Sequence, residues 1–102
     1  MDDAAKKAGL ARVRRIAGQL EGVARMIEDD RACVDVLLQV VSAQAALGQV
    51  GKVVLRSYVE TCVSEAMAAR TQAERAQKIA ELMEVFARYG GLARKSLERS
   101  VG

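Results

Sequence analysis

Cys33, Leu37, Val40, Gln44, Leu47, Gly51, Val54, Tyr58 and Cys62 recur at steps of four and three, with one repeated step of four from Tyr58 to Cys62. That spacing winds a mainly apolar seam along one face of a single helix. Nothing breaks it, because the chain has no proline, the strongest helix breaker. A helix of about 40 residues is roughly 60 Å long at ~1.5 Å per residue. An ordinary globule of this length has a radius of gyration of ~13 Å. The helix outgrows the body that would bury it, so the flanking helices can cover only part of the seam. A second copy of the chain is the expected cover for the rest, and a monomeric three-helix bundle with an overhanging helix is the alternative.

Two shorter patterns flank the long one, and together they predict an all-α, three-helix protomer. Leu10, Val13, Ile16, Leu20, Val23 and Ile27 mark a first helix over 5–28. The long helix spans 31–70, with Asp29 or Asp30 as its N-cap. Thr71-Gln72-Ala73-Glu74 reads as a capping box. It opens a third helix over 72–89, with Ile79, Leu82, Met83 and Phe86 on its apolar face and Tyr89-Gly90-Gly91 at its close. Residues 90–102 form a mildly basic tail. The 102 residues make one domain. No apolar run reaches the ~18 residues of a membrane span, and MDDAAKKAG lacks a signal-peptide core. The expectation is a cytoplasmic protein with no membrane partner.

The chain has two cysteines and no histidine. On one continuous helix Cys33 and Cys62 are 62 − 33 = 29 steps apart, about 43 Å. A disulfide needs Cα atoms within ~7 Å, so the two thiols of one chain cannot join. Antiparallel pairing of two copies about a midpoint between Leu47 and Gly48 would bring Cys33 of each beside Cys62 of the other. Ala43, Ala45, Ala46, Gly48 and Gly51 are small enough for a close crossing there. A two-fold dimer would then carry two identical two-thiol sites. With Asp30 as N-cap, Cys33 falls in the first turn, where free backbone N–H groups and Arg31 favour a thiolate. Glu60 and Glu65 disfavour one at Cys62. Cys33 is thus the expected attacking thiol and Cys62 the resolving one.

RVRRIAGQLEGVARMIEDDRACVDVLLQVVSAQAAL, followed by LRSYVETCV, resembles the copper-sensitive operon repressors of the CsoR/RcnR type. The resemblance runs from about Leu10 to Phe86. Its most specific parts are R-x-x-G-Q-L-x-G-V-x-x-M-I-E, the acidic turn with its cysteine, and T-C-V in the long helix. It implies a three-helix protomer, an antiparallel dimer bundle and a disc-shaped homotetramer. It also implies a Cu(I) site of one cysteine from one protomer and H-x-x-x-C from another. Cys33 and Cys62 match the two cysteines, but Tyr58 stands at the histidine, and a family glutamate falls at about Lys78. A phenol is a poor partner for a soft monovalent metal. Both cysteines without the histidine is the pattern of the persulfide-sensing, CsoR-like sulfurtransferase repressors (CstR). These sense polysulfide or other reactive sulfur by linking the two thiols across the dimer. The expected protein is a repressor of that branch with no cofactor. A Cu(I)-responsive repressor with a two-thiolate site is the alternative.

The expected macromolecular partner is operator double-stranded DNA. Lys6, Lys7, Arg12, Arg14 and Arg15 crowd the first helix, and Lys52 and Arg56 lie on the second. A net charge of +3 is modest, but a tetramer repeats the patch four times. The resemblance points to Arg12 as a DNA contact and sets Gln49 at a second family arginine. An enzymatic reading finds no histidine base, Cys-x-x-Cys pair or glycine-rich loop, and none is expected.

Overall fold

The computed structural model describes residues 1–92 and contains three helices, α1 (Asp3–Glu28), α2 (Cys33–Ala68) and α3 (Gln72–Tyr89). Most of the tail read over 90–102 lies outside the described residues. α1 starts two residues earlier than expected because Asp2 caps it, its carboxylate accepting from Ala5 N at 2.7 Å. α2 ends two residues early, at Ala68. Its final turn is held by Arg75, whose Nε donates to Ala66 O at 3.3 Å.

The cap expected at Asp30 is corrected. Ala32 is the N-cap of α2, with no side-chain hydrogen bond, and Cys33 is the first helical residue. The two aspartates instead end α1. Asp30 N donates to Ile27 O and Arg31 N to Met26 O, the paired bonds of a Schellman motif. Asp30 takes the left-handed position of that motif, at φ 54°. Its backbone is committed to closing α1 and cannot also open α2. The capping box holds with one change. Thr71 Oγ1 accepts from Glu74 N, while the Glu74 carboxylate accepts from Arg70 N rather than from Thr71. Gly90 closes α3 in a right-handed conformation, so the Gly90-Gly91 pair supplies no left-handed cap.

α1 runs back along the first part of α2, and α3 returns along its last part. Among the described residues α1 and α3 make no packing contact with each other. Gln19 Nε2 donates to Ser42 Oγ at 3.4 Å, fixing the α1–α2 register. The result is elongated, 61 × 28 × 22 Å, with a radius of gyration of 18.1 Å. The buried apolar set is small: Ile16, Ala43, Leu55 and Cys62. α3 covers the C-terminal half of the seam only. Val34, Leu37, Leu38, Val41 and Leu47 of α2 stay exposed, Val34 at 75%.

α2 also corrects the hydropathy reading. Polar and charged residues interrupt every strictly apolar run, yet an 18-residue window averages a hydropathy of 1.4, long and apolar enough to cross a membrane. Length and composition alone do not separate a membrane span from an uncovered bundle helix.

Candidate thiol sensor site

Both cysteines are free, Cys33 exposed and Cys62 buried. They lie at opposite ends of α2, so one chain holds them apart as the helix arithmetic requires. Cys62 owes its burial to α3, which lays Ile79 and Leu82 beside it. Tyr58 lies one turn earlier on α2. Its side-chain interaction with the Cys62 thiol and then desolvation hold the Tyr58 pKa above its ordinary 10.0, so the phenol stays protonated across the physiological range.

Lys78 of α3 bridges to α2. Its Nζ lies 2.9 Å from Glu65 Oε2 and 3.7 Å from Glu81 Oε2. The Glu65 hydrogen bond and charge, then Glu81, raise the Lys78 pKa, and Cys62 adds a smaller contribution of the same sign. The ammonium therefore stays charged beside the thiol. A cavity of about 360 Å³ opens there, with Cys62 and Ile79 in its wall and the side chains of Arg75 and Lys78 at its polar side. A second cavity, of about 410 Å³, lies beside Cys33, with Asp30 and Arg31 among its lining residues. Sequence reading missed Arg75 and gave Lys78 no role in the site. Their step of three on α3 is a readable signal, but only the fold shows which α2 residue they face.

The donors available to a metal are few. Among the described residues no three His, Cys, Asp or Glu side chains gather into a metal-binding group. Tyr58 stays protonated, and Lys78 brings a positive charge. The soft donors are one thiol at each end of α2 and the Met67 thioether in the cavity wall beside Cys62. A Cβ added at Gly48, at the expected crossing, would meet no atom within 4 Å, so the surface there is open.

The basic candidates do not form one face. Lys7, Arg14 and Arg25 recur at seven and eleven residues, one line on the outer side of α1, with Arg15 beside it. Arg25 lies on the polar side of the first helix in the sequence pattern but is not among the expected DNA contacts. By the same helical spacing Arg12 and Lys6 flank the stripe that packs on α2. All six are exposed. The Gln19–Ser42 bond and a cavity lined by Met1, Asp2 and Ser57 bring Lys6 and Lys7 level with Lys52 and Arg56 of α2. Arg56 spends its charge locally, 3.1 Å from Glu60.

The family described as "Metal-sensitive transcriptional repressor" matches residues 5–88. The copper-sensing transcriptional repressor CsoR of Bacillus subtilis is 37% identical over 76% of this chain and 74% of its own. CsoR of Mycobacterium tuberculosis is 41% identical over 63% of this chain, which spans 54% of that relative's length. Among solved structures, the Cu(I)-bound copper-sensing repressor CsoR of Geobacillus thermodenitrificans superposes with a TM-score of 0.71. It is 34% identical, covering 88% of this chain and 91% of that one. The nickel-responsive regulator InrS superposes at 0.70 and 31% identity, over 81% and 90%. These relatives are repressors and regulators of transcription, not enzymes. Sequence and three-helix architecture agree, and the chain belongs to the CsoR family of metal-sensitive transcriptional repressors.

Proposed function

We propose that this CsoR-family repressor, within the CstR branch, senses reactive sulfur rather than a metal. It would do so by linking Cys33 of one protomer to Cys62 of another. The observation that carries the reading is the pair of free cysteines at the two ends of α2, with no histidine in the chain and a protonated Tyr58 one turn before Cys62. The protein works as an antiparallel dimer paired into a tetramer, which covers the α2 residues the single chain leaves exposed. It acts in the cytoplasm on operator DNA, and needs no membrane and no cofactor.

The chemistry is thiol exchange. A cysteine thiolate bonds to a sulfur of a persulfide or polysulfide, whose S–S bond breaks. The departing fragment leaves with the electron pair as a thiolate or hydrosulfide. The second cysteine thiolate then attacks the first cysteine's sulfur and expels hydrosulfide. The two thiols are oxidised to a disulfide and the sulfane sulfur is reduced. Where the first cysteine carries a longer chain, Cys–S–S–SH, attack on its middle sulfur expels hydrosulfide and leaves an extra sulfur atom in the link. The reduced tetramer holds operator through Lys6, Lys7, Arg12, Arg14, Arg15, Lys52 and Arg56. The linked form binds more weakly, by roughly 5- to 150-fold for a coupling of ~1–3 kcal/mol. The test is fluorescence anisotropy on a duplex selected by the reduced protein from a random pool. Sodium tetrasulfide should release it, and dithiothreitol should restore binding. Release that persists in Cys33→Ala protein would overturn the proposal.

The names of the relatives favour a second reading, Cu(I) as inducer. Two thiolates suit a soft ion, and the Met67 thioether in the cavity beside Cys62 is the one further soft donor among the described residues there, while the protonated Tyr58 adds none. A Cu(I) competition titration separates the readings. Binding lost in both cysteine variants, with release by Cu(I) and none by tetrasulfide, would favour copper.

A further inference from the structure

The cavity beside Cys62 carries charge that the thiol link does not explain. Arg75 and Lys78 both line it, while the rest of the wall is largely apolar, with Met67, Ile79 and Leu82. Lys78 is balanced by Glu65 and Glu81, neither of which lines the cavity. Arg75 has no carboxylate partner among the described residues. Its Nε holds the Ala66 carbonyl, which leaves the guanidinium charge unneutralised at the cavity. A volume of about 360 Å³ holds a small molecule rather than a peptide. An apolar wall, an uncompensated guanidinium and a thiol together suit an anion with a soft, weakly hydrated body.

We propose that this cavity is the docking site of the inducer, a small anionic sulfane-sulfur donor such as an inorganic polysulfide, seated with its charge toward Arg75 and Lys78 and its sulfur chain against Cys62. The inference rests on the sulfur-sensing reading and assigns the first exchange with anionic donors to Cys62. This reverses the order expected from helix position. The Cys62 thiolate bonds to a donor sulfur, the donor S–S bond breaks, and the remaining polysulfide anion leaves with the electron pair. Cys62 is oxidised to a persulfide and the departing fragment is reduced. Cys33 of a second protomer then displaces hydrosulfide. Neutral thiol reagents gain nothing from the cations and react at the exposed Cys33.

The experiment compares thiol-exchange rates at each cysteine, using Cys33→Ser and Cys62→Ser proteins. The two probes are an uncharged dipyridyl disulfide and an aromatic disulfide bearing two carboxylates. The carboxylate probe should favour Cys62 over Cys33 more strongly than the neutral probe does. Arg75→Gln should slow only the carboxylate probe at Cys62, by about 3- to 10-fold. Salt should slow the same reaction in protein with Arg75 intact, a readout that survives if Arg75→Gln weakens the fold. Equal selectivity of the two probes, with no salt effect at Cys62, overturns the proposal. Tetrasulfide linking of the two-cysteine protein is scored separately. Linking without charge selectivity removes the docking site and spares the switch. Charge selectivity without linking supports the cavity as an anion site and removes the switch.

Discussion

Asp30 shows how one residue divides two helices. Its φ of 54° costs an L-residue energy that glycine avoids, and aspartate is among the few side chains that tolerate it. Asp30→Gly should stabilise the protein by about 0.5–1 kcal/mol, read as a higher urea midpoint at fixed protomer concentration. An unchanged or lower midpoint would mean the carboxylate contributes more than the backbone conformation costs. Tyr58 makes the second residue-scale case. Its side-chain interaction with Cys62 raises its pKa, so the folded state holds the phenolic proton more tightly than the unfolded chain. The associated stability is full below pH 10 and is lost as pH rises through the higher folded value. In a Tyr89→Phe background, phenolate absorbance should appear above pH 10, and Cys62→Ala should move it back toward 10. No movement would separate Tyr58 from the thiol. The sequence shows Tyr58 one turn before Cys62, but whether the phenol is ligand, filler or proton donor depends on α3, which closes over the pair.

At the scale of elements, periodicity and capping carry most of what the sequence reveals. The seam, the absence of proline and the Thr71–Glu74 box place three helices to within two residues at every boundary. They do so because those signals are local: a side chain three or four residues away decides each of them. The failures are local competitions. Asp29 and Asp30 are as good for ending one helix as for opening the next, and the Schellman bonds of α1 decide the outcome. The cap of α3 offers a clean test. Thr71 accepts from Glu74 N at 3.1 Å, so Thr71→Ala should cost about 1 kcal/mol by denaturant titration. Glu74 also ties Arg70 N into the turn, and Arg75 ties α3 to the last turn of α2. A cost near zero would show that these two bonds hold the corner without Thr71. The cavity at Cys62 was not legible, because it depends on the angle at which α3 returns, which no spacing in α2 encodes.

The whole molecule is defined by what it leaves uncovered. A radius of gyration of 18.1 Å against ~13 Å for a compact chain goes with six large apolar side chains open on the first half of α2, the face that the proposed dimer would cover. Covering each of those side chains would contribute about 1–2 kcal/mol. That sum explains why a chain with a buried set of four residues can be stable in company. The length of the seam points to a partner but not to its register, since one helix is compatible with several crossings. DNA binding belongs to the same scale, because a modest charge per chain becomes effective through repetition. Arg12→Ala should weaken operator binding and reduce the slope of log affinity against log salt, with the tetramer mass unchanged by light scattering. Unchanged affinity would shift the contact to the outward line of Lys7, Arg14 and Arg25.

The central claim is that Cys33 and Cys62, some 43 Å apart along one helix, meet across two chains. It is tested most directly by intact mass under non-reducing conditions, with peptide mapping, after reduced protein meets sodium tetrasulfide. The account requires a covalent dimer joined Cys33 to Cys62, with the mass of the plain disulfide or of added sulfur atoms. Unmodified monomer, or dimer joined only Cys33 to Cys33, would contradict it.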